Sequence, residues 1–242
     1  MNGNSQSPFA NIPPVVKNLL IINIICFLAV MVIDHGTTQG GLTSMFGVYY
    51  FNSPGFKPWQ IITYMFMHGG FAHIFFNMFA LFSFGPTVEY TMGSKKFFNF
   101  YFICGIGAIA LQMLVQAVEV YNITGGITIS HPELESTYYQ YGIHAQKLFD
   151  IYHISTVGAS GAIFGLLVAF GMLYPNLELM IMFVPVPVKA KYIIPVYIFI
   201  EIYLGFSQYA GDSVAHFAHL GGALLGFILV KAWRLQHPKN FY

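Results

Sequence analysis

Residues 214–233 read Val-Ala-His-Phe-Ala-His-Leu-Gly-Gly-Ala-Leu-Leu-Gly-Phe-Ile-Leu-Val-Lys-Ala-Trp. Crossing a bilayer as a helix takes about 20 predominantly apolar residues, and this stretch supplies them. It holds two histidines, His216 and His219, and its one fixed charge, Lys231, stands near the end. Working outward, five more apolar segments lie near 17–33, 71–92, 97–118, 158–174 and 191–207. The pattern predicts an all-α membrane protein built as a six-transmembrane helical bundle.

Composition points the same way. The 242 residues are 56% hydrophobic and 8% charged, whereas soluble domains carry roughly 25% charged side chains. So few charges cannot cover a water-facing surface, and lipid is the expected solvent. Aromatics at 18% suit lipid-facing and interfacial positions. The net charge of +1 and the lack of a basic cluster exclude a nucleic-acid partner. Cys26 and Cys104 fall in apolar runs, where thiols act as small hydrophobes, so no disulfide framework is expected. No metal or cofactor is expected either. The His-Glu-x-x-His pattern of zinc proteases is absent.

Lys and Arg give an independent check on the spans. With the N-terminus inside, Lys17, Lys95, Lys96, Lys189, Lys191, Lys231, Arg234 and Lys239 fall on the cytoplasmic side, and only Lys57 and Lys147 on the other. That asymmetry follows the positive-inside rule and predicts both termini in the cytoplasm. The chain divides into a short tail, 1–16, a six-span core, 17–234, and a second tail, 235–242. The first tail is polar and contains proline, without the features of a signal peptide, so the first span reads as an uncleaved anchor. Two outer loops are long, 34–70 and 119–157. In the first, residues 58–67 are apolar but too short to cross, and read as an interfacial segment anchored by Trp59 and nearby tyrosines. The second is expected to be a soluble loop with a short helix around 137–149.

Gly158-Ala159-Ser160-Gly161 opens the fourth span. Glycines beside a serine allow close backbone approach, and a turn into a helix points amide N–H groups outward. The same residues could equally be small-residue packing. Histidines inside spans are rare and mark candidate functional sites. Depth arithmetic links the two elements. Ser160 precedes Pro175 by 15 residues, and His219 precedes Arg234 by 15. At 1.5 Å per residue both lie about 22 Å above the inner boundary, or roughly 8 Å below the outer face of a hydrocarbon core about 30 Å thick. Gly161 and Gly165 on one helix, and Gly222 and Gly226 on the other, form Gly-x-x-x-Gly pairs that let backbones approach closely. Ser160 as nucleophile and His219 as base then become neighbours. Phe164, four residues after Ser160, could stack on the imidazole. No carboxylate is placed by the sequence as a third member, and the reading is a dyad. Glu201, inside the fifth span, reads as a paired or water-facing group. Asp34, Asp150 and Asp212 all fall at span ends, which argues against an aspartyl protease.

At the start of the second span, His73 and Asn77 are one helical turn apart and present donors to one point. Such donors could serve an oxyanion or simply hydrogen-bond in the packing.

His73-x-x-x-Asn77, Gly158-x-Ser160-Gly161 and Ala218-His219-x-x-Gly222-x-x-x-Gly226 resemble, in order and spacing, the motifs of the rhomboid intramembrane proteases. Gly85-x-x-x-Glu89-x-x-x-Gly93 also looks like a rhomboid motif. The resemblance implies a rhomboid-type bundle in which Ser160 attacks, His219 is base and then acid, and His73, Asn77 and the Ser160 amide bind the oxyanion. It implies a structural role for Glu89. It also implies transmembrane protein substrates cut near their outer ends, in a multi-pass protein of the cell membrane whose site opens away from the cytoplasm. The sequence departs from the pattern in two places. Many rhomboids have Trp-Arg where Trp59-Gln60 stands, and the histidine-stacking aromatic, often tyrosine, is Phe164. His131, His144 and His153 of the outer loop are expected to be solvated. The rival reading is a catalytically silent relative that binds transmembrane clients, although such proteins typically lose the serine or histidine that this chain keeps.

Overall fold

Because an apolar residue facing lipid needs no protein partner, helices in this chain are apolar on nearly every side, and packing is set by small and polar residues. The structure, a computed structural model, describes residues 12–34, 41–181, 184–207 and 214–236. Asp212, Lys239 and most of both predicted tails lie outside the described residues.

The helices run α1 (Pro14–Ile33), α2 (Gly41–Phe46), α3 (Gln60–Thr63), α4 (Phe71–Met92), α5 (Ser94–Thr124), α6 (Ser136–Tyr139), α7 (Ala145–His153), α8 (Ser160–Leu173), α9 (Ala190–Ser207) and α10 (His216–Ala232). Short 3₁₀ turns occupy Tyr64–Phe66 and Gly142–His144. By length and composition α1, α4, α5 and α9 can each cross a membrane, while α8 and α10 are shorter apolar helices of 14 and 17 residues. The 14 residues of α8 span about 21 Å. The predicted segment 158–174 is thus helical only from Ser160, and the chain before it approaches as irregular backbone covered by protein.

Helix α8 is the centre. It carries apolar or small residues all round and is buried along almost its whole length. Helices α4, α5, α9 and α10 pack around it, and α1 packs on α4. The outward faces are bare hydrocarbon, as at Ile25, Leu28 and Val32 of α1 and Phe199 and Phe206 of α9.

Three expectations change. The chain is not purely helical: β1 (Glu178–Ile181) and β2 (Val184–Lys189) form an antiparallel ribbon between α8 and α9, pairing Glu178 with Lys189 and Leu179 with Val188. Prolines 185 and 187 mask that strand in the sequence, because proline is tolerated only where its missing N–H is not needed. Helix α5 continues past residue 118 to Thr124, and the outer loop after it is structured. Tyr138, Leu148, Ile151 and Tyr152 close a small core with Tyr50, Val120 and Ile129. His153 packs on that unit and is half-buried. Its ring stacks on Phe149 at 4.1 Å and meets Tyr138 edge-on. Finally, Tyr64 is no interfacial anchor. It is buried, and its hydroxyl donates to the Gly105 carbonyl at 2.6 Å.

Gln60 also has a definite place. It is buried, donates to the carbonyls of Gly55 and Met45 at 3.1 and 3.3 Å, and accepts from the Lys57 N–H at 2.9 Å. An uncharged amide thus ties the first outer loop together where many rhomboids have arginine.

Glu89 sits at the other end of α4. Its carboxylate accepts the Val15 and Val16 N–H groups at 3.1 and 2.8 Å and the Ser94 hydroxyl at 2.6 Å. The first-turn amides of α1 have no intrahelical partner, and Glu89 supplies one from a distant helix. Gly85 lets α1 approach, since a Cβ there would meet Val16 Cγ2 at 2.8 Å. Gly93 turns the chain with φ +77°, which favours glycine. Glu89→Ala should strand three donors, of which the buried Val16 N–H alone costs about 1–3 kcal/mol before relaxation. The expected result is a melting temperature lower by several degrees, since 1 kcal/mol is worth about 2–4 °C in a chain of this size. An unchanged thermal melt in detergent would remove this role.

Candidate active site

The serine lies where irregular backbone becomes helix. Gly158 has φ +129°, a conformation that side chains rarely allow, and a Cβ there would also meet His73 Nε2 at 2.7 Å. Its N–H donates to the Tyr64 carbonyl at 2.9 Å. The Val48 and Thr156 backbones pair through two bonds of 2.9 and 2.8 Å. These contacts fix the loop that delivers Ser160 to the first position of α8. Nothing in the sequence marked Tyr64 for that task, because the contact uses its carbonyl.

Ser160 Oγ lies 2.8 Å from His219 Nε2. The His219 ring is buried and stacks on Phe164, with centroids 4.3 Å apart and planes within 9°. Helices α8 and α10 meet closely enough for this because of glycine. A Cβ on Gly222 would overlap the Gly161 carbonyl oxygen, and one on Gly226 would meet the Gly165 carbonyl oxygen at 2.6 Å. Gly161 itself faces elsewhere, as a Cβ there would strike Ala108 of α5. A Cβ on Gly222 would thus collide with α8, whereas one on Gly161 would collide with α5 and lie 3.5 Å from the Ala218 carbonyl oxygen of α10.

His73 and Asn77 stand on α4, which packs against α8. The Gly69 N–H donates to His73 Nδ1 at 3.4 Å. That bond leaves the ring proton on Nε2, the nitrogen directed toward Gly158. Asn77 is 5% exposed, and its Nδ2 amide finds no acceptor. A buried donor left unpaired costs about 1–3 kcal/mol. His68, just before α4, packs edge-on against His73 at 5.1 Å. Burial, with His73 beside it, pushes the His68 imidazole down to about 3, which keeps it neutral.

The sequence placed no carboxylate beside His219, and the structure has one there. Glu201 of α9 is buried, and its Oε2 accepts from His219 Nδ1 at 2.8 Å and from His216 Nδ1 at 2.7 Å. By residue type these three groups could ligate a divalent cation. Their separations, however, are hydrogen-bond lengths between paired donors and an acceptor.

The site therefore holds a hydroxyl against an imidazole, with the His73 ring next to Gly158, inside a bundle of membrane-crossing helices. A family model described as the Rhomboid domain matches residues 55–235. The chain belongs to the rhomboid family and is an integral, multi-pass membrane protein. It is 31% identical over 183 residues to "Rhomboid protease GluP" of Bacillus subtilis, covering 76% of this chain and 27% of that protein. It is 27% identical over 226 residues to "Rhomboid-like protein 11, chloroplastic" of Arabidopsis thaliana, covering 90% and 64%. It is 25% identical over 175 residues to "Rhomboid protein 1, mitochondrial" of Saccharomyces cerevisiae, covering 70% and 40%. The chain thus spans between about a quarter and two thirds of the length of these relatives.

Proposed function

We propose that this chain is an intramembrane serine endopeptidase, with Ser160 as nucleophile and His219 as general base and then acid. The observation that carries the reading is the Ser160–His219 hydrogen bond of 2.8 Å. In the reaction, Ser160 Oγ attacks the scissile carbonyl carbon as its proton passes to His219 Nε2. The carbonyl π electrons move to oxygen. His219 then gives the proton to the leaving nitrogen as the C–N bond breaks, and water repeats the sequence on the acyl-enzyme. The oxyanion takes the Asn77 amide, the His73 Nε2–H and the Ser160 N–H. The last is one of the first-turn amides of α8, which have no partner within the helix and lie at its positive end.

The substrates proposed are transmembrane segments that unwind easily near their outer ends, since a helical peptide bond is shielded by its own hydrogen bonds. In this reading six segments cross the membrane, counting α8 and α10, with both termini in the cytoplasm and the site opening outward. The Lys and Arg asymmetry supports that orientation, and the cell membrane is the proposed location. A fluorophosphonate probe, followed by mass spectrometry of the adduct, tests the chemistry. We expect stoichiometric labelling at Ser160. A folded protein that takes no label would instead support the silent, client-binding alternative.

Asn77→Ala separates chemistry from packing. Loss of one oxyanion donor costs roughly 10²–10³ in rate in a soluble serine protease, and two donors remain here, so a smaller loss is expected. Apparent substrate affinity should hold, because the charge exists only after attack. Turnover, affinity and melting should be measured on one purified variant. Wild-type turnover in a stable Asn77→Ala protein would take Asn77 out of the oxyanion site.

A further inference from the structure

The sequence offers Glu201 as one carboxylate inside the fifth span, a position where an ionisable group is costly and needs a partner. The structure gives it two. Its Oε2 accepts from the Nδ1 atoms of both His216 and His219, and all three residues are buried. We propose that Glu201 is a positioning residue for His219, extending the proposed Ser160–His219 pair into a serine–histidine–glutamate relay with His216 as its second clamp. The inference rests on the serine-hydrolase reading above.

A neutral imidazole carries one ring proton. If Glu201 accepts at Nδ1, that proton is on Nδ1 and Nε2 keeps its lone pair. Nε2 is the atom 2.8 Å from Ser160 Oγ, so the tautomer is the one that can take the serine's proton. When it does, His219 becomes a cation, and the carboxylate already in contact stabilises it without reorganisation. The Phe164 ring fixes the imidazole plane, but a face contact cannot choose between nitrogens. Glu201 can. His216 donates to the same oxygen from one turn earlier on α10, which holds that oxygen in place as His219 changes charge. The separations of 2.7 and 2.8 Å match shared hydrogen bonds. Glu201 and His219 sit on α9 and α10, so the contact also registers these two helices against each other.

The test uses the purified full chain in detergent. Glu201→Gln keeps volume and one acceptor but loses the charge. We expect kcat to fall by up to roughly 10⁴-fold, the loss when the triad aspartate of a soluble serine protease becomes an amide, with KM and melting temperature close to wild type. Glu201→Asp, which retains the charge, should recover part of that loss. Fluorophosphonate labelling of Ser160 should slow in step with kcat. In the wild type, ¹⁵N spectra of the imidazoles should show His219 protonated at Nδ1 and bare at Nε2. This measurement needs no variant and stands even if Glu201→Gln misfolds. The proposal is overturned by a folded Glu201→Gln protein with near wild-type kcat, or by His219 protonated at Nε2. It is equally overturned if a chelator removes activity and zinc restores it, which would make the trio a metal site. An unlabelled wild type would sink the hydrolase reading itself. Normal labelling and turnover in both proteins would sink Glu201 alone.

Discussion

Ser160→Ala is expected to remove turnover while leaving the protein folded. The substitution deletes one oxygen at the edge of α8, at a residue of intermediate burial, so little packing is lost. The hydroxyl is nevertheless the group that forms the covalent bond in the proposed reaction. In a unit whose members act jointly, removing the nucleophile or the base alone costs about as much as removing the whole unit, roughly 10⁶ in kcat. His219→Ala should match it in activity but not in stability. It also deletes the ring that stacks on Phe164 and one of two donors to Glu201, leaving a buried carboxylate half-satisfied. The double variant should be no slower than either single one. Purified proteins are compared for substrate cleavage, probe labelling and thermal melting. Turnover above background in Ser160→Ala would end the serine-protease reading.

The Ser160 and His219 pairing could be approached from sequence because it rests on one-dimensional quantities. Residue counts to Pro175 and Arg234 set depth, and glycine spacing marked where two helices could touch. The structure brings the two side chains together. It also shows a limit of spacing: Gly161 and Gly222 each open a Gly-x-x-x-Gly pair, yet a Cβ on Gly222 would strike α8 while one on Gly161 would strike α5. Spacing gives the periodicity of a face, and the direction of that face depends on how the bundle is assembled.

Glu201 shows a different limit. Its reading as a paired group named no partner, because an intramembrane carboxylate demands one without saying which. Glu201 and His219 lie 18 residues apart on two different helices, so no spacing within one helix links them. Tyr64 was harder still. Its backbone carbonyl holds Gly158 and its hydroxyl holds Gly105, and neither task leaves a composition signal. The ribbon of β1 and β2 was hidden by its prolines, and the outer-loop core by its ordinary loop composition. What escaped at Glu201 and Tyr64 was a contact between distant segments made through backbone atoms or a single polar group.

Gly222→Val should produce the largest structural effect of any single substitution considered. The Gly222 Cβ would overlap the carbonyl oxygen of Gly161 and lie 2.6 Å from its carbon. Both are backbone atoms of a buried helix, so no side chain can rotate away, and α8 and α10 must separate. Overpacking a core costs about 1–3 kcal/mol when side chains can adjust, and here they cannot, so the upper end or beyond is expected. At about 2–4 °C per kcal/mol, melting should fall by roughly 10 °C or more. Activity should fall further than stability alone explains. The 2.8 Å bond between Ser160 and His219 crosses the same helix pair, one turn from Gly222, and a shift of about 1 Å can cost roughly 10²-fold in rate. Probe labelling should therefore drop even in the fraction that remains folded below the melting transition. Leu224→Val, on the lipid-facing side of α10 where Leu224 is 51% exposed, serves as the control and should change neither quantity. A Gly222→Val protein that melts and labels like wild type would show that α8 and α10 do not meet at this glycine, and the route by which Ser160 reaches His219 would have to be redrawn.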